Sequence, residues 1–171
     1  MRAVADAPRL NLLVVCLGNI CRSPLAEGAL RARIEASPLA GRVRVDSAGT
    51  GGWHAGEPPD RRAIACARRH GVDIAGLRAR QIRGTDFEEF DWLLCADTDN
   101  LRDVRRLAPE PARDRVALLL DWAGVGRGRA VPDPYCGGED DFEHVWRLVD
   151  NAAQAVVERL STGQGLGIID P

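Results

Sequence analysis

Short apolar runs alternate with amphipathic stretches along the chain, and the runs have the length and content of buried strands. Leu10–Val15 is the first of them, Phe90–Cys95 and Val116–Leu120 follow later, and Val43 with Val45 marks another. Strands that alternate with helices predict a single-domain α/β fold, with a four-stranded, mostly parallel sheet and helices on both faces in a doubly wound, three-layer arrangement. In such sheets, functional sites lie at the carboxyl ends of the strands.

Helices are predicted between these strands from capping residues and from the 3.6-residue period. Ser23 followed by Pro24 indicates a helix start, with the hydroxyl as N-cap and the proline at the first helical position. In the last helix, apolar side chains recur at helical spacing from Phe142 to Leu160. The remaining elements are expected as a turn at Ser47–Gly49, a helix over residues 60–70, a capping box formed by Thr85 and Glu88, and a helix from Asp97 to Leu107.

The length of 171 residues is that of one domain. Residues 1–9 are expected to form a loose tail, residues 10–160 the domain, and residues 161–171 a glycine-rich tail. No apolar run approaches the ~20 residues of a membrane helix, so no membrane partner is expected.

All 23 basic side chains are arginines, because the chain contains no lysine. Enzymes that form a Schiff base need an amine, and an ordinary nucleotide-hydrolysing P-loop needs its lysine, so both classes are excluded. Any phosphate must therefore be held by backbone amides and arginine. The formal net charge of −2 argues against nucleic acid as a partner.

The chain contains five cysteines, an odd number, and none of them belongs to a CxxC pair. A disulfide scaffold and a structural zinc site are therefore not expected, and a reducing cytoplasm is the predicted compartment. No metal ion or cofactor is predicted.

The stretch from Cys16 to Pro24, CLGNICRSP, carries the candidate chemistry. It lies between a strand and a helix start, where a loop wrapped over the helix N-terminus points backbone N–H groups at an anion. Gly18 and Asn19 tolerate the left-handed backbone that such a loop needs, and the planar fork of Arg22 can hold two phosphate oxygens. Cys16 at the base would be a thiolate aimed at phosphorus. The predicted phosphate-binding residues are Leu17, Gly18, Asn19, Ile20, Cys21 and Ser23.

The spacing Cys-x5-Arg has little weight alone in a chain with so many arginines, and an isolated cysteine at a strand end is more often an inert core residue. The serine after Arg22, the buried strand before the loop and the Ser-Pro helix start after it raise the specificity.

The same stretch resembles the signature of the low-molecular-weight protein-tyrosine phosphatases, and further landmarks follow in family order over residues 10 to about 160. The resemblance implies a metal-independent phosphatase that hydrolyses phosphotyrosine in proteins through a phosphocysteine on Cys16, with inorganic phosphate as product and competitive ligand. The landmarks are Asp46–Thr50, Trp53 with His54, Gly56–Asp60, His70 with Gly71, Ala79–Ile82 and Asp133–Tyr135.

The resemblance also implies roles for single residues. Asp133 would be the general acid and then the base that activates water, and Ser23 would hydrogen-bond the sulfur of Cys16. Cys21 would form a reversible disulfide with Cys16. Three residues, Asn19, Ser47 and His70, would support the loop, and three others, Leu17, Trp53 and Tyr135, would form a slot for the phosphotyrosyl ring.

One position departs from the family pattern, since Cys136 stands where many relatives have a second tyrosine. This departure puts in doubt any regulation by phosphorylation there, and it alters the outer wall of the slot.

Three other functions stay open at this stage. A thioredoxin-coupled arsenate reductase would need further cysteines about 70 residues after the nucleophile, and residues 80–94 contain none while Cys95 stands alone. A phosphoarginine phosphatase would carry a threonine where Ile20 stands. A catalytically dead relative would have lost one of Cys16, Arg22 and Asp133, and all three are present.

Overall fold

The computed structural model describes residues 9–163, which form one all-parallel sheet covered by helices. The strands are β1 (Leu10–Cys16), β2 (Val43–Gly49), β3 (Trp92–Cys95) and β4 (Val116–Leu118). They pair in the order β2-β1-β3-β4, and every pairing is parallel. This order confirms the predicted single-domain α/β fold, with a sheet that is fully rather than mostly parallel. The helices are α1 (Arg22–Glu35), α2 (Arg61–Arg69), α3 (Asp86–Glu89), α4 (Thr98–Leu107), α5 (Leu119–Trp122) and α6 (Glu139–Ser161), with a 3₁₀ turn over Glu110–Arg115.

Strand β1 lies inside the sheet and its side chains enter two separate cores. Leu12 and Val14 pack in the core that contains residues of α1, α2 and α6, and Leu13 and Val15 pack in the core that contains residues of α3 and α4. This alternation follows from the two-residue period of a strand. A strand buried on both faces is apolar throughout, which explains the continuous apolar run in the sequence.

Strand β2 is longer than predicted, because it continues through the stretch that was expected to turn. Val14 pairs with Ser47 and Cys16 pairs with Gly49 in the ladder between β1 and β2. A side chain at Gly49 would place its Cβ 2.8 Å from the carbonyl oxygen of Leu17. Glycine therefore lets β2 end directly against the loop that follows β1.

The predicted N-cap role of Ser23 is wrong. Helix α1 begins at Arg22 after Cys21, and no side chain caps its N-terminus. The serine lies one residue inside the helix, where its hydroxyl is free to contact the loop.

Three smaller differences concern element ends. Thr85 precedes α3 but its side chain makes no capping hydrogen bond, so no capping box forms with Glu88. The run Phe90–Cys95 becomes a strand only from Trp92. The run Val116–Leu120 is a strand to Leu118, after which α5 begins.

The predicted tails lie outside the described residues, apart from Arg9 and residues 161–163. Helix α6 continues through Ser161, one residue past the predicted end of the domain. In the described part of the chain, no helix has both the length and the apolar content needed to span a membrane.

Candidate active site

Cys16 is the last residue of β1, and its buried sulfur is surrounded by the loop that follows. The Ser23 Oγ atom lies 3.0 Å from the Cys16 Sγ atom, and the backbone N–H of Asn19 donates to the same sulfur at 3.3 Å. The loop thus curls around the sulfur, with Ser23 returning to it from the first turn of α1.

Asn19 holds the shape of this loop through its backbone and its side chain. Its φ is 57°, and it is the one non-glycine residue with positive φ in the described range. Its Nδ2 donates to Ser23 Oγ at 2.8 Å and to Ser47 Oγ at 2.9 Å, and its Oδ1 accepts from the backbone N–H of Arg80 at 3.0 Å. One buried amide therefore ties the loop to α1, to β2 and to the segment before α3.

The network continues to a buried carboxyl group that the sequence did not reveal. Ser47 Oγ donates to Glu27 Oε1 at 2.6 Å. Glu27 Oε2 forms an ion pair with Arg31 Nη2 at 2.6 Å, but the geometry of this contact is not that of a hydrogen bond. Burial raises the pKa of Glu27, although the Ser47 hydrogen bond and Arg31 oppose the change. Glutamate and arginine four residues apart on α1 were the one available sequence signal.

Arg22 is buried and held on two sides. Its Nη1 donates to Asp97 Oδ2 at 2.6 Å and to the carbonyl oxygen of Val131 at 3.1 Å. Asp97 also caps α4, because its Oδ1 accepts from the backbone N–H of Asn100. The sequence indicates Asp97 only as the start of that helix, and no local signal points to its contact with Arg22.

Asp133 lies across the cleft from the loop, with 49% of its side chain exposed. Its Oδ2 is 3.9 Å from Arg22 Nη2, and its Oδ1 accepts from the backbone N–H of Tyr135 at 3.1 Å. The segment before it is anchored to the sheet, because the backbone N–H of Val131 donates to the carbonyl oxygen of Ala96 at 2.7 Å. A half-exposed carboxylate therefore lines the same cleft as the buried sulfur.

The cleft itself has a volume of about 210 Å³ and is lined by the loop together with aromatic side chains. Trp53, at 71% exposure, Tyr135 and Leu17 are exposed apolar residues, and all three line the cleft. Its lining residues are Cys16, Leu17, Gly18, Ile20, Cys21, Arg22, Trp53, His54, Asp133 and Tyr135.

The floor of the cleft offers hydrogen-bond donors. The backbone N–H groups of Gly18, Ile20 and Cys21 find no acceptor among residues 9–163, and the N-terminus of the 14-residue helix α1 follows directly. Unpaired N–H groups and the positive end of a helix dipole together favour a bound anion.

His70 does not join the loop network, so this part of the prediction is wrong. Its Nε2 hydrogen-bonds to Glu143 Oε2 at 2.8 Å, and its ring stacks on Trp146 at a centroid distance of 5.0 Å. The histidine lies at the C-terminal end of α2, which packs against α6. The partners of Asn19 are Ser23, Ser47 and Arg80 instead.

The second cysteine of the loop, Cys21, is also buried, and both loop cysteines are free thiols. Burial raises the pKa of Cys21 to about 12, and Asp60 adds to the effect. Burial and Asp60 thus both favour the neutral thiol form of Cys21. Cys136 is a free, exposed thiol next to Tyr135.

Comparison with known proteins gives one consistent family. The family described as low molecular weight phosphotyrosine protein phosphatase matches residues 11–164. The chain is 43% identical over 146 residues to a low molecular weight protein-tyrosine-phosphatase of Streptomyces coelicolor, covering 84% of this chain and 88% of the relative.

Two solved structures have the same fold. A protein tyrosine phosphatase of Entamoeba histolytica with Hepes in its active site superposes with a TM-score of 0.85 at 32% identity, covering 91% of this chain and 99% of that one. Vibrio vulnificus Wzb in complex with benzylphosphonate superposes with a TM-score of 0.77 at 31% identity, covering 88% and 98%. Sequence, fold and loop geometry agree, and the chain belongs to the low molecular weight phosphotyrosine protein phosphatase family and is a protein-tyrosine phosphatase.

Proposed function

We propose that Cys16 attacks the phosphorus of a phosphotyrosine and forms a phosphocysteine intermediate. The observation that carries this assignment is the position of its sulfur at the base of the cleft, 3.3 Å from one loop N–H and 3.0 Å from the Ser23 hydroxyl. Donors directed at a sulfur favour its thiolate, which is the nucleophilic form.

Arg22 and the loop amides would hold the phosphoryl oxygens during transfer. Asp97 and the Val131 carbonyl already hold the Arg22 guanidinium through Nη1. Its other N–H groups can therefore donate to phosphoryl oxygens without a further loss of side-chain freedom. Leu17, Gly18, Asn19, Ile20 and Cys21 supply the loop backbone, and preorganised donors of this kind stabilise charge that develops in the transition state.

Asp133 would protonate the leaving tyrosyl oxygen and then deprotonate the water that hydrolyses the phosphocysteine. It is the carboxylate that faces Arg22 across the cleft, and its half-exposed side chain leaves room for the tyrosyl oxygen and, later, for water. Ser23 would stabilise the thiolate as it leaves in the second step, because its hydroxyl lies 3.0 Å from the sulfur. Asn19 and Ser47 would preserve this arrangement.

The substrate would be a phosphotyrosine-containing protein. The exposed rim of Leu17, Trp53 and Tyr135 suits a flat aromatic ring, and the Wzb structure holds benzylphosphonate, an aromatic phosphonate. Inorganic phosphate would be the product and a competitive ligand, while neither nucleic acid nor a membrane is part of the proposal. Five free cysteines fit a reducing cytoplasm as the compartment.

Hydrolysis of a phosphotyrosyl peptide, measured beside phosphoseryl and phosphoarginyl peptides and in the presence of a chelator, tests this function. The variants are Cys16→Ser and Asp133→Asn, with Asp140→Asn as a matched control on an exposed carboxylate. We expect Cys16→Ser to abolish turnover and Asp133→Asn to slow aryl phosphates with poor leaving groups far more than those with good ones.

Full activity of Cys16→Ser would refute the covalent mechanism. Equal losses for good and poor leaving groups in Asp133→Asn would refute the role of Asp133 as the acid. Preference for the phosphoarginyl peptide would overturn the substrate assignment while leaving the mechanism intact.

A further inference from the structure

A second cluster of reactive side chains lies outside the cleft, where α2 packs against α6. Cys66 and His70 are four residues apart and share one side of the end of α2, and Glu143 comes from the first turns of α6. Their sulfur, ring nitrogen and carboxylate oxygen all lie within 4.8 Å of one another. None of the three lines the cleft.

We propose that Cys66, His70 and Glu143 bind a divalent transition-metal ion of the zinc type. A thiolate, an imidazole and a carboxylate are the three ligand types that zinc takes in proteins. The sequence predicts no metal site, because no two cysteines are suitably spaced. The spacing Cys-x3-His becomes a ligand set only when the fold adds Glu143.

The distances are close to those of a tetrahedral site. With zinc–ligand bonds of about 2.3 Å to sulfur and 2.0–2.2 Å to nitrogen and oxygen, ligand atoms are about 3.6 Å apart for sulfur and oxygen and about 3.4 Å for nitrogen and oxygen. The Cys66 Sγ lies 3.5 Å from Oε1 of the Glu143 carboxylate, so the carboxylate must turn for Oε2 to reach the tetrahedral distance from the sulfur. The His70 Nε2 to Glu143 Oε2 distance is 2.8 Å, so it must open by roughly 0.6 Å as the ion takes the place of a shared proton.

Charge balance at the site is compatible with a dication. Arg69 holds Glu143 Oε1 through Nε at 2.9 Å and Nη2 at 2.8 Å, and its Nη1 lies 3.2 Å from Glu139. Hydrogen bonds from His70 and Arg69 keep the pKa of Glu143 below its ordinary value, so the carboxylate is charged. Arg69 can stay on Oε1, as an outer partner that orients the ligand, while Oε2 turns to the metal.

Binding requires one proton to leave. Burial and Glu143 raise the pKa of Cys66 to about 11, so its thiol is protonated at neutral pH. The ion forms a bond to the sulfur as the S–H bond breaks, and the proton goes to solvent. His70 binds through the Nε2 lone pair with its proton on Nδ1. His70 and Glu143 are partly exposed, so water completes a fourth position.

The test uses Co²⁺ and Zn²⁺ on the full chain carrying Cys16→Ser and Cys136→Ser, which removes the nucleophilic thiol of the cleft and the exposed thiol. We expect one equivalent of Co²⁺ to bind with a thiolate-to-cobalt charge-transfer band, and Zn²⁺ to displace it and raise the Tm. Adding Cys66→Ala should abolish the band. Adding His70→Gln or Glu143→Gln should raise the Kd for Co²⁺ at least tenfold.

A matched control is His54→Gln, because His54 and Glu57 form a similar pair at 2.7 Å that is not part of this cluster. This variant should bind Co²⁺ unchanged. Absence of the band, its persistence in Cys66→Ala, or an unchanged Kd in His70→Gln and Glu143→Gln would each overturn the proposal. If Cys66→Ala does not fold, the Kd of His70→Gln for Co²⁺ still tests the proposal, because the His70 side chain is 36% exposed.

Discussion

Asn19 offers the sharpest test of what the loop geometry contributes to stability. In Asn19→Gly and Asn19→Ala the same three side-chain hydrogen bonds disappear, to Ser23, Ser47 and the backbone N–H of Arg80. The two variants differ in backbone strain and in the entropy of the unfolded chain. Glycine adopts the φ of 57° without strain, whereas alanine does not.

The expected losses follow from these contacts. The two bonds to hydroxyl groups contribute about 0.5–1.5 kcal/mol each, and the Arg80 N–H left without an acceptor costs about 1–3 kcal/mol. Both variants should therefore lose about 2–6 kcal/mol of unfolding free energy. Left-handed alanine adds about 1–2 kcal/mol, while glycine adds about 0.5–1 kcal/mol through the entropy of the unfolded chain. Asn19→Ala should be the less stable variant, by up to about 1.5 kcal/mol.

Urea unfolding of the wild type and both variants measures these differences, provided that the m values agree. A parallel assay with an aryl phosphate should show kcat/KM reduced at least tenfold in both, because the Asn19 N–H no longer points reliably at the Cys16 sulfur; a tenfold change corresponds to about 1.4 kcal/mol of barrier. Greater stability of Asn19→Ala than of Asn19→Gly would refute the assignment of backbone strain. Losses below about 1 kcal/mol in both would refute the hydrogen-bond assignment.

Three further predictions concern residues that support the loop. Asp97→Asn keeps the cap of α4 but replaces a charged partner of Arg22 at 2.6 Å. The Tm should therefore fall, and added phosphate should raise the Tm more than it does in the wild type. An equal rise in both proteins would contradict a link between Asp97 and phosphate binding by Arg22. Gly49→Ala places a Cβ 2.8 Å from a carbonyl oxygen of the loop, and we expect urea unfolding to show a loss of about 1–3 kcal/mol together with reduced kcat. Burial raises the pKa of Glu27 above its ordinary value, so the Glu27 carboxyl group holds its proton more tightly in the folded state than in the unfolded state. The stability of the wild type therefore falls as the pH rises through the folded-state pKa of Glu27. Glu27→Gln keeps an acceptor without the charge, so urea midpoints should show its stability relative to the wild type improving as the pH rises above about 4, the ordinary pKa of a glutamate. A pH-independent difference would refute this.

The parts of the site that the residue pattern alone predicted are contiguous in the chain, whereas Ser47, Trp53, Asp133 and Tyr135 were predicted only from the family resemblance. Cys16, Asn19, Arg22 and Ser23 lie within eight residues, so strand pattern and spacing suffice to place them on one loop. The sheet was predictable for a similar reason, since strands buried on both faces must be apolar along their length.

Residues that reach the loop from other elements were harder to predict. Asp97 contacts Arg22 only because β1 and β3 are neighbours in the sheet, and strand order is not encoded in local periodicity. Glu27 looked like an ordinary helix residue until the structure placed it against Ser47. His70 was assigned to the loop from the resemblance alone, and the fold directs it to α6.

The alternation of β1 between two cores also constrains how the gene can change. Cys16 shares its core with Leu12 and Val14, so a one-codon insertion between Leu10 and Val15 would rotate the nucleophile to the opposite layer and leave Arg22 facing an apolar side chain. A two-codon insertion would restore the layer but would shift the sulfur by about 6.6 Å along the strand. Length variation among functional descendants of this chain should therefore be absent from β1 and confined to loops away from the carboxyl edge of the sheet.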